Sequence, residues 1–196
     1  AAVGDVKGER QHLGTRSDAV HTRAEALRAA GAEVLALTFD VTDRSAVDTA
    51  FTQAEQHFGR QLQKGLAYDD GGVVHQNNAA VIVRKPFLEL AAEDWQRVID
   101  TDLNACFHVA QRAARTMVAQ GSGRVIQMSS IMNHVSRPNL VPYVTAKGAL
   151  AAMTRAMAAD LGGTGVTVNA LAPGYTATEF SEAKKPEFHD FVAGWT

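Results

Sequence analysis

Tyr143 and Lys147 stand four residues apart, and Ser130 lies thirteen residues before the tyrosine. On a helix, residues four apart share a face about one turn from each other, which brings an ammonium near a phenol. A free tyrosine titrates near ~10 and is a poor base at neutral pH. A neighbouring cation favours the phenolate and moves it toward the working range of an acid/base catalyst. A serine hydroxyl facing the pair would hydrogen-bond a substrate oxygen whose charge grows during reaction. Such a trio suits proton exchange with an alcohol or carbonyl oxygen. By itself, a tyrosine at a helix start followed by a solvated lysine needs no function, so the elements around the trio decide between the two readings.

Those elements alternate between helical and strand-like patterns. An alanine-rich helix is predicted over 18–30, closed by Gly31. Residues 33–39 form a short apolar run read as a strand that ends at Asp40. Thr42 or Asp43 can cap the next helix, whose apolar positions Val47, Ala50, Phe51 and Ala54 recur at helical spacing. Residues 60–76 are the least regular stretch, Gly/Asp-rich before a weak strand at Val73-Val74-His75. A long helix over 92–119 carries a broad apolar stripe that includes Trp95, Val98, Cys106, Phe107 and Met117, and Gly121 and Gly123 end it. Residues 124–128 form a strand running into Ser129-Ser130. Pro142 can start a helix that continues through Tyr143 and Lys147 to Leu161. A last strand over 166–171 stops at Pro173-Gly174. The alternation is that of a parallel α/β sheet in a single domain over 1–196. Such sheets bind ligands outside the carboxyl ends of their strands, which is where Ser130 falls.

Composition narrows the function classes. A chain of 196 residues with 46% hydrophobic and 20% charged residues can build one full core, which argues against disorder or a coiled coil. The formal charge of −2 offers no basic footprint for nucleic acid. No apolar run approaches the roughly 18 residues a membrane span needs, and residues 1–10 lack a secretory apolar core. The single cysteine, Cys106, reads as a buried structural thiol and suits a reducing cytoplasm. None of the seven histidines has a partner at ligand spacing, so no metal site is expected.

Five ordered motifs make the chain resemble the short-chain dehydrogenase/reductase family. Asn77-Asn78-Ala79-Ala80 resembles its Asn-Asn-Ala-Gly motif, and Asp40-Val41 its adenine-contacting pair. Residues 123–130 are similar to its fifth strand and catalytic serine, and 143–149 to its active-site helix. Residues 168–174, with Thr176 and Thr178, are similar to its sixth strand and nicotinamide-contacting turn. The resemblance implies a Rossmann-like doubly wound α/β sheet. It also implies an oxidoreductase moving hydride between NADP or NAD and a carbonyl or secondary alcohol. It assigns Tyr143 as general acid/base, Lys147 to the nicotinamide ribose and to lowering the tyrosine pKa, and Ser130 to orienting the carbonyl. Asp40, Val41, Asn77, Ala79, Pro173, Gly174, Thr176 and Thr178 would contact the cofactor. Asp40 reads equally as a solvated carboxylate after a strand, and Asn77 and Asn78 as plain turn residues.

Four departures accompany the resemblance. Gly4 and Gly8 reproduce only part of the glycine-rich phosphate loop, and Leu13-Gly14-Thr15-Arg16 looks like the end of the second strand. The first strand and its loop are therefore expected to be missing or corrupted. Residues 60–76 exceed the family's usual link, and the chain stops at Thr196 before the family's last elements. Asp102 takes the place of a relay asparagine; it can still hold a water, with a charge that alters the relay. The expectation is an incomplete or corrupted sequence of a working enzyme.

Arg16, at the supposed strand end, favours NADP over NAD, although it reads equally as an exposed charge flanking a helix. His134, Arg137 and Asn139 would suit a hydroxylated or anionic substrate, with a solvated loop as the other reading. Residues 136–138 and 173–179 are similar to the gluconate 5-dehydrogenase branch, with 3-oxoacyl carrier-protein reductases close behind. The two long helices resemble those through which the family forms dimers and tetramers, so a homodimer or homotetramer is expected. Competing readings are a non-catalytic scaffold that kept the fold, and a dehydratase or epimerase using the same tyrosine.

Overall fold

The computed structural model describes residues 13–58, 73–77 and 79–176. The partial glycine-rich loop at Gly4 and Gly8, the Asp69–Gly72 run, Asn78 and Thr178 lie outside these residues.

The first helix, α1, spans Leu13–Ala29. This corrects the expectation that residues 13–16 close a strand: Arg16 sits within the first turns of α1, and its side chain lies outside what is described. The helix ends as expected at Gly31, whose φ of 87° is the left-handed stop that glycine adopts without a Cβ penalty. Residues 33–39 also depart from expectation. They form no ladder, and only Asp40 makes an isolated bridge. A strand is defined by its neighbour, and none of the described strands pairs with this run. Val34 instead gives its carbonyl to the Arg28 guanidinium, Nη2 donating at 2.8 Å.

Helix α2 spans Arg44–Phe58, and Asp43 caps it by accepting from the amides of Ser45 and Ala46 at 2.9 and 3.2 Å. Strand β1, Val73–Asn77, runs two residues beyond the predicted end. The long helix is interrupted. Helix α3, Ala92–Ile99, passes through a π turn at Asp100–Asn104 into α4, Ala105–Gln120. Gly121, φ 73°, closes α4. Strand β2 is Gly123–Met128, helix α5 is Val141–Asp160 with Pro142 in its first turn, and strand β3 is Val166–Leu171.

The three strands are parallel in the order β1-β2-β3. Asn77 pairs in register with Gln127, and Met128 with Leu171, so the strands end along one rim. Successive parallel strands joined by helices in one direction put those helices on one face of the sheet. Accordingly Ala110, Ala113 and Met117 of α4 form a core with Val125, Val166 and Val168, against which Phe51 of α2 and Met157 of α5 pack. Arg112 ties α4 to α2, reaching Glu55 at 2.8 Å and lying over the Phe51 ring at 5.2 Å. The Arg112 hydrogen bond holds the Glu55 carboxyl below its usual range, against a smaller opposing effect of burial. Cys106 is buried as expected, its thiol pushed up to about 11 by desolvation.

Candidate active site

The carboxyl rim of the sheet is where the trio assembles. Ser129 follows β2, and its amide donates to Leu171 O at 2.8 Å, while Ile131 N donates to Pro173 O at 3.0 Å. These two bonds hold the turn after β3 against the serine pair. Ser130 has extended backbone, and its Oγ accepts from Met132 N at 3.2 Å, which caps the short turn Ile131–Asn133. The Ser129 hydroxyl donates to Lys147 O at 3.0 Å and accepts from Asn133 Nδ2 at 3.0 Å. The strand tip is thus fastened to α5 at the very turn that carries the lysine. This bracing role of Ser129 is absent from the sequence reading; the Ser129-Ser130 doublet is its only signal.

Pro142 opens α5 with its fixed φ and is fully buried, which fixes the direction in which the next residue leaves. The Ser130 hydroxyl lies close enough to the Tyr143 phenol to favour its phenolate. Lys147 is 3% exposed, its Nζ donating to Met128 O at 2.9 Å and lying 5.6 Å from the centroid of the Tyr143 ring. Serine, phenol and ammonium therefore share one environment at the rim.

One electrostatic expectation is corrected. The tyrosine pKa is raised rather than lowered: burial is the largest cause, the Ser130 hydroxyl works against it, and Asp102 raises it further. Removing a phenolate from water costs more here than Ser130 and the Arg84 cation return.

Asp102 lies in the π turn and is fully buried. Its Oδ1 accepts from Val81 N at 2.7 Å, and its Oδ2 is 3.8 Å from Lys147 Nζ. Desolvation lifts its pKa to about 6, against the opposing pull of Lys147. A π turn shifts the helical register by one residue, and such turns recur at functional sites. Nothing in the apolar stripe of the sequence announces it. Asn104, two residues on, is exposed and donates to Asp100 at 2.8 Å.

The other anticipated positions are held by separate contacts. Val41 is buried with Val81, Val98, Ala105 and Ala146, the last of these one residue before Lys147 on α5, and Ala79 packs against this cluster. Asp40 is engaged locally, its Oδ1 accepting from Thr42 N at 2.9 Å and Thr42 Oγ1 at 2.7 Å. Asn77 ends β1, its side chain outside what is described. Gly174 and Thr176 are exposed after β3, with Pro173 half-buried, and a Cβ on Gly174 would meet only open space. A cleft between α2 and α4 lined by Arg44, Asp48, His108 and Arg112 shares no residue with this site. Among the described residues no cluster could hold a metal ion, and no helix is long and apolar enough to cross a membrane.

The fold and the rim define an α/β protein of Rossmann type with Ser130, Tyr143 and Lys147 gathered at the strand ends. A profile of the family described as short chain dehydrogenase matches residues 10–188, and the chain belongs to that family. It is 33% identical over 181 residues to gluconate 5-dehydrogenase of Gluconobacter oxydans, covering 91% of this chain and 66% of that protein. It is 29% identical over 166 residues to a 3-oxoacyl acyl-carrier-protein reductase of Staphylococcus aureus, covering 85% of this chain and 63% of that one. A crystal structure of gluconate 5-dehydrogenase from Burkholderia cenocepacia, in complex with NADP and tartrate, superposes with a TM-score of 0.80 at 29% identity. That match covers 100% of this chain and 69% of the other. The chain spans about two thirds of the length of these relatives.

Proposed function

We propose that this chain carries the catalytic part of an NADP-dependent oxidoreductase acting on a secondary alcohol or its carbonyl, with a sugar acid of the gluconate type as substrate. The observation that carries the reading is the convergence of Ser130, Tyr143 and Lys147 at one strand tip, braced by Ser129.

The described residues fit the nicotinamide end of a dinucleotide. An ammonium and two hydroxyls stand beside a polar turn whose Gly174 leaves room for close approach. Lys147 would hold the ribose hydroxyls, the Pro173–Thr176 turn and Ala79 would flank the nicotinamide, and Val41 with Asp40 the adenine. When bound, the cofactor supplies the hydride acceptor for oxidation and the donor for reduction. The chain's own residues manage the proton. Tyr143 gives its phenolic proton to the substrate oxygen during reduction and takes one from the alcohol during oxidation. Ser130 Oγ donates to the same oxygen, where negative charge develops.

Sugar acids suit the rim because His134, Arg137 and Asn139 follow Ser130 and offer donors to hydroxyls and a carboxylate. The names of the relatives favour the same substrate class. Assembly as a homodimer or homotetramer belongs to this reading, and exposed Phe107 and Val118 on α4 support it. Titration of this chain with NADPH, followed by nucleotide fluorescence, tests the proposal. Saturable binding is expected; no binding up to millimolar nucleotide would favour a scaffold.

A further inference from the structure

Asp102 stands where the family resemblance puts an asparagine, and its surroundings give the added charge a role. The side chain has no solvent exposure, and among the described residues its Oδ2 has no hydrogen-bond partner. That oxygen faces the Lys147 ammonium at 3.8 Å. Lys147 in turn lies 5.6 Å from the Tyr143 ring centroid and donates to Met128 O. The groups facing Asp102 are Lys147 and Tyr143 from α5, the Cys106 thiol from α4, and the Val81 amide from the segment after β1. Within its own turn, Asp100 is occupied with Gln96 and Asn104 at the surface. Arg84 also acts on the phenol, lowering its pKa.

In a dry site a lone ammonium projects a strong field, whereas an ammonium paired with a carboxylate projects only that of a dipole. We infer that Asp102 is a positioning residue acting through Lys147: its carboxylate holds the ammonium in a buried ion pair that offsets the cation's pull on the Tyr143 phenol. The inference deepens the proposed function, on which its catalytic meaning rests. Burial is the largest cause of the raised phenol, and Asp102 adds to it. With a pKa of about 6, Asp102 is ionised at neutral pH, so the pair exists under ordinary conditions.

The test is a spectrophotometric titration of the Tyr143 phenolate, read as the difference between each protein and its Tyr143→Phe counterpart. Asp102→Asn keeps an acceptor for Val81 and removes the charge, and its phenol midpoint is expected to fall by roughly one pH unit. Asp102→Glu retains the carboxylate and stays near wild type. In a Lys147→Met background the Asp102→Asn shift shrinks to less than half. A midpoint that stays or rises in Asp102→Asn overturns the inference. So does a Glu variant that follows the Asn variant, or a full-size shift without the lysine. Because the titration reads ionisation and not turnover, a failed NADPH titration would sink the proposed function while leaving this result to be judged by itself.

Discussion

At the scale of single residues, the site is held by backbone bonds more than by its reactive groups. Ser130 caps a turn, Lys147 is tied through Met128 O, and Asp102 through Val81 N. Burial of Asp102 has a consequence for stability. Its folded pKa of about 6 lies above the ordinary 3.8, so the folded state binds the proton more tightly than the unfolded chain. The resulting stabilisation is complete below about pH 4 and lost as pH rises through about 6. Between those limits wild type should lose on the order of 2–3 kcal/mol relative to Asp102→Asn, measured by urea unfolding at a series of pH values. A stability difference that does not change with pH would show that the carboxyl titrates normally. Tyr143, Lys147 and Ser130 are legible in the sequence because helical periodicity and a strand tip are short-range features. The raised phenol pKa is not, since it depends on burial and on Asp102, forty-one residues away along the chain.

At the scale of elements, the best-read pieces are those that make their own hydrogen bonds or find a neighbour close in sequence. Helix α5 begins at Val141, where Pro142 marks a start, and β2 and β3 match their apolar runs. Residues 33–39 show the opposite case: an apolar run becomes a strand only with a partner, and pattern alone does not supply one. The π turn at Asp100–Asn104 escapes periodicity for a related reason, because one inserted residue hardly disturbs an apolar stripe this broad. The entry into β3 depends on a close approach. Gly165 has φ 82°, its carbonyl accepts from Gly123 N at 3.3 Å, and a Cβ there would lie 1.9 Å from Gly121 O. Both the left-handed conformation and the contact exclude a side chain. Gly165→Ala should therefore destabilise the protein by about 2 kcal/mol or more, read as a lowered urea midpoint. A loss within about 0.5 kcal/mol would mean that the turn can move away from α4.

For the whole molecule, the three described strands are parallel and end in register, which brings the segments that follow them to one rim. Ala79, Ser130 and the Pro173–Thr176 turn follow β1, β2 and β3 there, Tyr143 joins them from α5, and Val41 shares a core cluster with Ala146 of α5. Family membership was legible from the order of short motifs, which survives where element boundaries do not. The supposed strand end at Arg16 did not survive, and with it goes the local argument for NADP; the cofactor preference now rests on likeness to relatives. The central claim is that Tyr143 moves the proton. It is tested most directly by supplying gluconate and NADP to this chain and to its Tyr143→Phe variant, and following the absorbance of reduced nicotinamide. Wild type should turn over, with the Phe variant slower by roughly 10²–10⁴-fold; equal rates in the two proteins would contradict the assignment.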